Sequence, residues 1–160
     1  MRPVCPAHPR YQWAYVYGAA EVGGQAHVEF LYCPTVNLEH SQRFLEQLGA
    51  REPGATPVVI WDGAGFHPQD GAAGLPNNVR LLALPSYSPE LNPIEGLWDQ
   101  PKDHLCNQVY ASLRALEKAI TAFLQPFWES PERVRDLIGN GWLLAQANAF
   151  FRQIFTYQAV

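Results

Sequence analysis

Residues 84–98 read L-P-S-Y-S-P-E-L-N-P-I-E-G-L-W, and at this stretch the chain changes from strands to helices. Three prolines within residues 85–93 predict a stiff loop. Asn92 and Pro93 are residue types typical of a helix N-cap and a first helical position. Glu95 follows where a capping box places its acid and where the helix dipole favours a negative charge. The stretch therefore predicts a rigidly held carboxylate, which suits either a helix cap or a metal ligand.

Upstream, residues 57–62 read P-V-V-I-W-D and predict a short apolar strand buried on both faces. Residues 79–84 predict a second strand after a long connection. Asp62 ends the first strand, and the carboxyl ends of strands are where α/β sheets gather their ligands. From spacing alone, a helix N-cap or turn aspartate explains Asp62 equally well.

Further upstream, residues 11–20 and 26–32 predict the two strands of a β-hairpin around a turn at residues 21–24. Asn37 is a predicted N-cap, and the helix that follows it is predicted to stop at Gly49. A helix between strands indicates an α/β fold. The sheet is expected to be mixed, because the hairpin is antiparallel.

Downstream of Asn92 the chain reads as helical. Pro101 predicts a kink or break near Asp99 or Gln100, because proline removes a backbone hydrogen bond. An apolar stripe at residues 113–127, a short helix opened by Ser130-Pro131 and a last helix at residues 142–155 complete the helical part. We expect one domain over residues 1–160.

Composition limits the classes of function. The chain has 160 residues, 48% of them hydrophobic, and a net charge of −4. An acidic total counts against tight DNA binding by this chain alone, but an active site that holds cations can be acidic. With neither a long apolar run nor the apolar stretch of a signal peptide, the sequence predicts no membrane association and a cytoplasmic location.

The three cysteines, Cys5, Cys33 and Cys106, are predicted to be free thiols, since an odd and scattered set does not suit a disulfide framework. A zinc site made by Cys5, His8, His27 and Cys33 is the weaker alternative, because no second paired motif supports it.

The stretch at residues 84–98 resembles the hallmark of the mariner superfamily of DDE transposases, in particular its bacterial insertion-sequence branch. The strand and loop V-V-I-W-D-G-A-G-F-H at residues 58–67 resemble the family's D-N-A-x-x-H segment. Residues 16–19 and the helix at residues 44–49 also fit the family's pattern. The resemblance covers most of the chain and is weakest after Tyr110.

The resemblance implies a ribonuclease H-like fold, with a mixed sheet flanked by helices. It also implies three carboxylates that bind two divalent metal ions, Mg²⁺ or Mn²⁺, for in-line strand cleavage and transfer on DNA. Asp62 then corresponds to the second carboxylate and Glu95 to the third. His67 either orients a phosphate or water at this site or helps to close the loop after Asp62.

The family's first catalytic aspartate has no counterpart here, because no aspartate precedes Asp62. We therefore expect the first strand of the sheet to be missing, the hairpin strand at Tyr11 to have an unpaired edge, and the fragment to be inactive alone. Gly63 replaces the family's asparagine, and no helix-turn-helix region is recognisable.

The expected partners are insertion-element ends and target DNA. A homodimer or association with full-length transposase would follow from the unpaired edge. A catalytically dead remnant and another ribonuclease H-like nuclease are the alternatives, and the L-N-P-I-E-x-x-W motif disfavours the second. Trp13, Trp61 and Trp98 are predicted core residues. The basic residues Arg80, Arg114 and Lys118 could contact phosphates, but a solvent-exposed face explains them equally well.

Overall fold

The computed structural model describes residues 13–85, 88, 91–105, 108–138, 141, 143–146 and 149. Two strands, a helix, two more strands and three helices follow one another along this part of the chain. In chain order they are β1 (Tyr15–Ala20), β2 (Val28–Cys33), α1 (Leu38–Arg51), β3 (Val58–Trp61), β4 (Arg80–Ala83), α2 (Glu95–Leu105), α3 (Leu113–Glu129) and α4 (Pro131–Ile138).

Strands β1 and β2 form the predicted antiparallel hairpin, with Tyr15 opposite Cys33 and Ala20 opposite Val28. Side chains alternate between its two faces, as the period of a strand requires. Tyr17 and Cys33 pack on Phe44 of α1, whereas Val28 faces the helices at the end of the chain. The hairpin is therefore covered on both sides.

Helix α1 begins as predicted, because the side chain of Asn37 accepts a hydrogen bond from the His40 amide at 2.8 Å. It does not stop at Gly49, however, and continues to Arg51. A side chain at position 49 would lie 2.9 Å from the Asn78 amide oxygen and 3.0 Å from Val79. Gly49 therefore permits close contact with the segment before β4, and the prediction that it ends the helix was wrong.

Strands β3 and β4 form a parallel pair, from Val58 opposite Arg80 to Trp61 opposite Ala83. Trp61 and Val79 pack with Leu45 of α1 on one face. The other face is open, and Ile60 is 48% exposed. The prediction of a strand buried on both faces was wrong, because α1 covers only one side and helices α2 to α4 pack on the hairpin.

The three C-terminal helices enclose the largest group of buried side chains. Leu97 of α2, Leu124 of α3 and Val134 of α4 meet beneath the hairpin and are almost completely inaccessible to solvent. The apolar stripe of α3 and the start of α4 at Pro131 are confirmed. Residues 139 and 140 and most of the predicted last helix lie outside the described residues.

Helix α2 differs from its prediction at two points. It begins at Glu95, while Asn92 and Pro93 form a turn in which the Glu95 amide donates to the Asn92 carbonyl at 3.1 Å. Glu95 remains in the first turn. The helix continues through Pro101 to Leu105, so the predicted break does not occur. Pro101 is buried within this helix.

The prediction of an α/β fold is confirmed, and the element order is compatible with a ribonuclease H-like arrangement. The antiparallel and parallel pairings lie in two separate two-stranded sheets of the described chain. Trp61 is buried and Trp98 packs against the helical core, as predicted, but Trp13 is 68% exposed. No helix within the described ranges is long and apolar enough to cross a membrane.

Candidate active site at the end of strand β3

Asp62 is placed by the strand that precedes it. The parallel strand β3 ends at Trp61, so the next side chain projects from the carboxyl edge of the sheet. The carboxylate is 64% exposed. Its Oδ1 accepts a hydrogen bond from the Ala64 amide at 3.1 Å and lies 2.8 Å from Nδ1 of the His67 ring. No described residue donates to Oδ2, which leaves this oxygen available to a cation or water.

His67 lies beside Asp62 because the loop turns back on itself. The His67 amide donates to the Ala64 carbonyl at 2.9 Å, and Nδ1 of the ring also lies 2.9 Å from the Asp62 carbonyl. The ring stacks on Trp61, with centroids 4.1 Å apart and planes 3° from parallel. The histidine therefore closes the loop, which was one of its two predicted roles.

The loop after Asp62 is also fastened to α1. The Ser41 hydroxyl donates to the Phe66 carbonyl at 2.8 Å and lies 3.2 Å from the Tyr17 hydroxyl. Ser41 is completely buried, and Tyr17 meets Phe66 edge to face. Buried hydroxyl groups need hydrogen-bond partners. The contacts of Ser41 therefore connect the hairpin, helix α1 and the loop after Asp62.

Gly63 shows that the loop does not depend on glycine geometry. Nothing lies within 4 Å of a Cβ built at this position, and its φ is not positive. Gly63→Ala is therefore expected to raise the free energy of unfolding by about 0.4–1 kcal/mol, because alanine restricts the unfolded chain. Urea denaturation measures this change. A loss of stability would contradict the open space described here.

Glu95 is held at the start of α2 by residues that follow it. Leu97 is buried in the helical core. Trp98 meets Phe30 of β2 edge to face, with centroids 6.0 Å apart, and its ring lies directly over Gly18 of β1. Glu95 as a whole is half-buried. Strand β1 and helix α2 thus fit together at Gly18, which explains why glycine suits that position.

The described residues do not bring together three or more histidine, cysteine, aspartate or glutamate side chains that could hold a metal ion. No such group forms around Asp62 and Glu95, and the zinc alternative gains no support from His27 and Cys33. Cys5 and His8 lie outside the described residues. Cys33 is a free thiol, and burial raises the pKa of this thiol.

Comparison with known proteins identifies the family. Residues 1–117, more than half of the chain, match the family model described as DDE superfamily endonuclease. The chain therefore belongs to the DDE superfamily endonucleases. The matched region includes both candidate carboxylates and ends early in helix α3.

A relative from Sinorhizobium fredii is 37% identical to this chain over 102 residues. The match covers 61% of this chain and 73% of that protein, which is named uncharacterized protein y4pE/y4sA. No solved structure matches the chain.

The sequence predicts Asp62, His67 and Glu95 as site residues but does not indicate the residues that hold them in place. Ser41 and Tyr17 bind through hydroxyls that come from distant parts of the chain, and no local pattern indicates such contacts. Trp61 was predicted only as a core residue. Its ring also stacks on His67, which follows six positions later in the same short segment.

Proposed function

We propose that this chain is a transposase catalytic domain, in which Asp62 and Glu95 bind divalent metal ions for cleavage and transfer of DNA strands. The observation that carries the proposal is the position of the Asp62 carboxylate and the set of groups that contact its two oxygens. The carboxylate lies at the carboxyl end of a parallel strand, with one oxygen contacted by the Ala64 amide and the His67 ring and the other without a donor among the described residues. Family membership supports the same chemistry.

The two carboxylates Asp62 and Glu95 are suitable ligands for Mg²⁺ or Mn²⁺, but they make only part of a metal site. Carboxylate oxygens are the ligands that such hard cations prefer. Asp62 and Glu95 would supply two of them, whereas the described residues offer no group of three. When bound, the metal ions would activate the attacking oxygen and stabilise the leaving oxygen of an in-line displacement at phosphorus.

The residues of the chain contribute rigidity to such a site. Strand β3 and the loop fastened by Ser41 fix the backbone at Asp62. Packing of Leu97 and Trp98 fixes the first turn of α2 at Glu95. Carboxylates held in this way lose little conformational freedom when they bind a cation, which is the physical basis of a preorganised site. That His67 orients a phosphate or a water molecule at this site stays a prediction.

Where the unmodified chain nicks supercoiled plasmid DNA with a metal ion, despite the missing first carboxylate, Asp62→Asn and Glu95→Gln are each expected to abolish that nicking. Each change removes a negative charge and keeps the shape of the side chain, so the protein should remain folded. The measurement is the fraction of nicked plasmid with Mg²⁺ or Mn²⁺, compared with the same reaction in a chelator.

Asp136→Asn and Glu46→Gln are the matched controls, because both carboxylates are exposed and belong to helices α4 and α1 rather than to the elements that carry the two proposed ligands. They should nick DNA as the unmodified chain does. Equal nicking by Asp62→Asn and the unmodified chain would show that another residue is responsible.

A second candidate function is association with intact transposase without catalysis. In the described part of the chain, β1 pairs only with β2 and β3 only with β4. Strands with an unpaired edge can accept a strand from another chain. Absence of a three-ligand group among the described residues also favours this candidate.

The two candidates give different results in one experiment. A chain that never nicks DNA with either metal, but elutes together with an intact family member and lowers its strand transfer, has the second function. A chain that nicks DNA through Asp62 has the first. Size-exclusion chromatography of the chain alone adds a check, since a stable monomer would count against pairing through open edges.

A further inference from the structure

The carboxylate of Asp62 and the ring of His67 differ sharply in exposure. The aspartate side chain is 64% exposed and the histidine side chain only 13% exposed. An exposed aspartate normally samples several rotamers. Here it is joined to a ring that is packed in place, so the histidine can limit the orientations of the carboxylate.

The hydrogen bonds define which ring nitrogen carries the proton. Nδ1 of His67 lies 2.9 Å from the Asp62 backbone oxygen and 2.8 Å from the Asp62 Oδ1. A backbone carbonyl oxygen acts only as an acceptor, so Nδ1 must be the donor in the bond to the Asp62 carbonyl. One N–H is thus shared between the backbone and the side chain of the same residue, and it holds the two in a fixed relation.

The ring itself has little freedom to move. Trp61 stacks on one face at a centroid distance of 4.1 Å, and Phe66 meets the ring edge to face at 4.6 Å. The backbone on either side is fixed by β3 and by the hydrogen bond from Ser41 to the Phe66 carbonyl. Rotation of His67 would have to break this packing, which makes Nδ1 a fixed point next to Asp62.

We infer that His67 is a positioning residue that holds the Asp62 carboxylate in one rotamer, with Oδ2 presented for a divalent cation, and that Trp61 holds His67 in turn. Its part in cation binding rests on the proposed function. Partners of metal ligands that fix their orientation commonly change metal affinity by 10–100-fold when they are removed. The rotamer itself is a property of the chain without metal.

The first test measures the Asp62 rotamer without metal, from three-bond couplings of its side-chain carbon to backbone nitrogen and carbonyl carbon in isotope-labelled protein. The unmodified chain should give couplings of a single rotamer, and His67→Ala should give averaged values. His67→Asn should restore the single rotamer, because its amide nitrogen takes nearly the position of Nδ1. His67→Gln, whose amide reaches the position of Nε2, should not.

The second test measures Mn²⁺ affinity by electron paramagnetic resonance. His67→Ala is expected to weaken binding about 10-fold, and His67→Asn to recover most of the loss. His27→Ala is the control, because His27 bonds to Gln25 on the hairpin turn. Its affinity should equal that of the unmodified chain. Asp62→Asn should remove the binding site altogether.

The outcomes distinguish the positioning role of His67 from the proposed function in metal-dependent cleavage. A single Asp62 rotamer in folded His67→Ala overturns the positioning role, whatever happens to the metal. A single rotamer that depends on His67, together with Mn²⁺ binding that Asp62→Asn leaves unchanged, supports the positioning role and overturns the proposed function. Should His67→Ala not fold, the contrast between the asparagine and glutamine variants gives the same decision.

Discussion

Gly18→Ala is expected to lower the free energy of unfolding by about 1–3 kcal/mol, although alanine is usually the better residue within a strand. A Cβ at position 18 would lie 2.4 Å from Cζ2 and 2.9 Å from Cη2 of Trp98. The Trp98 ring cannot simply move aside, because it packs against Phe30 and the helical core. Strand β1 and helix α2 must therefore separate, and Glu95 should move with the helix.

Urea denaturation of four proteins tests this fit: the unmodified chain, Gly18→Ala, Trp98→Leu and the double variant. Leucine at position 98 is smaller than tryptophan and leaves room for the methyl group added at position 18. The double variant should therefore be more stable than the sum of the two single changes predicts. Gly63→Ala is the matched control, because the same substitution meets open space there. Strictly additive changes would mean that Gly18 and Trp98 are not in contact.

Leu124→Ala is expected to cost about 2–5 kcal/mol, which is a large part of the stability of a domain of this size. Leu124 is 0% exposed and lies where α3 meets buried residues of α2 and α4. Its removal leaves a cavity between three helices that are joined by short connections. Thermal and urea denaturation should show the loss as a lower midpoint.

Val109→Ala is the control for Leu124→Ala, because Val109 is 91% exposed. Exposed positions without special contacts usually change stability by less than about 0.5 kcal/mol. Equal losses in the two variants would mean that the helices are loosely packed and that the buried cluster does not determine stability.

The sequence predicted the order of the elements because each element has a local signal. The hairpin follows from two strand-like stretches around the turn at residues 21–24, and α1 follows from the Asn37 cap; the structure confirms both. The two candidate carboxylates were predicted from the resemblance to the family, because position alone also suits a turn aspartate and a helix cap. The structure places Asp62 after β3 and Glu95 in the first turn of α2.

Other features depend on contacts that no local pattern contains. Gly49 has the residue type of a helix end, yet its role is close packing against Val79. Ile60 belongs to an apolar run, but which face of β3 is covered depends on where the last helices pack. The support of Asp62 by Ser41 requires the fold to bring residues 41 and 66 together.

Helix α1 is the common support of the two sheets, since Leu48 packs against the clusters on both. The parallel pair has strands of only four residues and one open face, whereas the hairpin is covered on both sides. Parts of a protein with few buried contacts open locally before the whole unfolds. The amide protons of β3 and β4 should therefore exchange with solvent sooner than those of β1 and β2. The strand that presents Asp62 then opens before the hairpin does, and a bound cation or a paired strand would close it again.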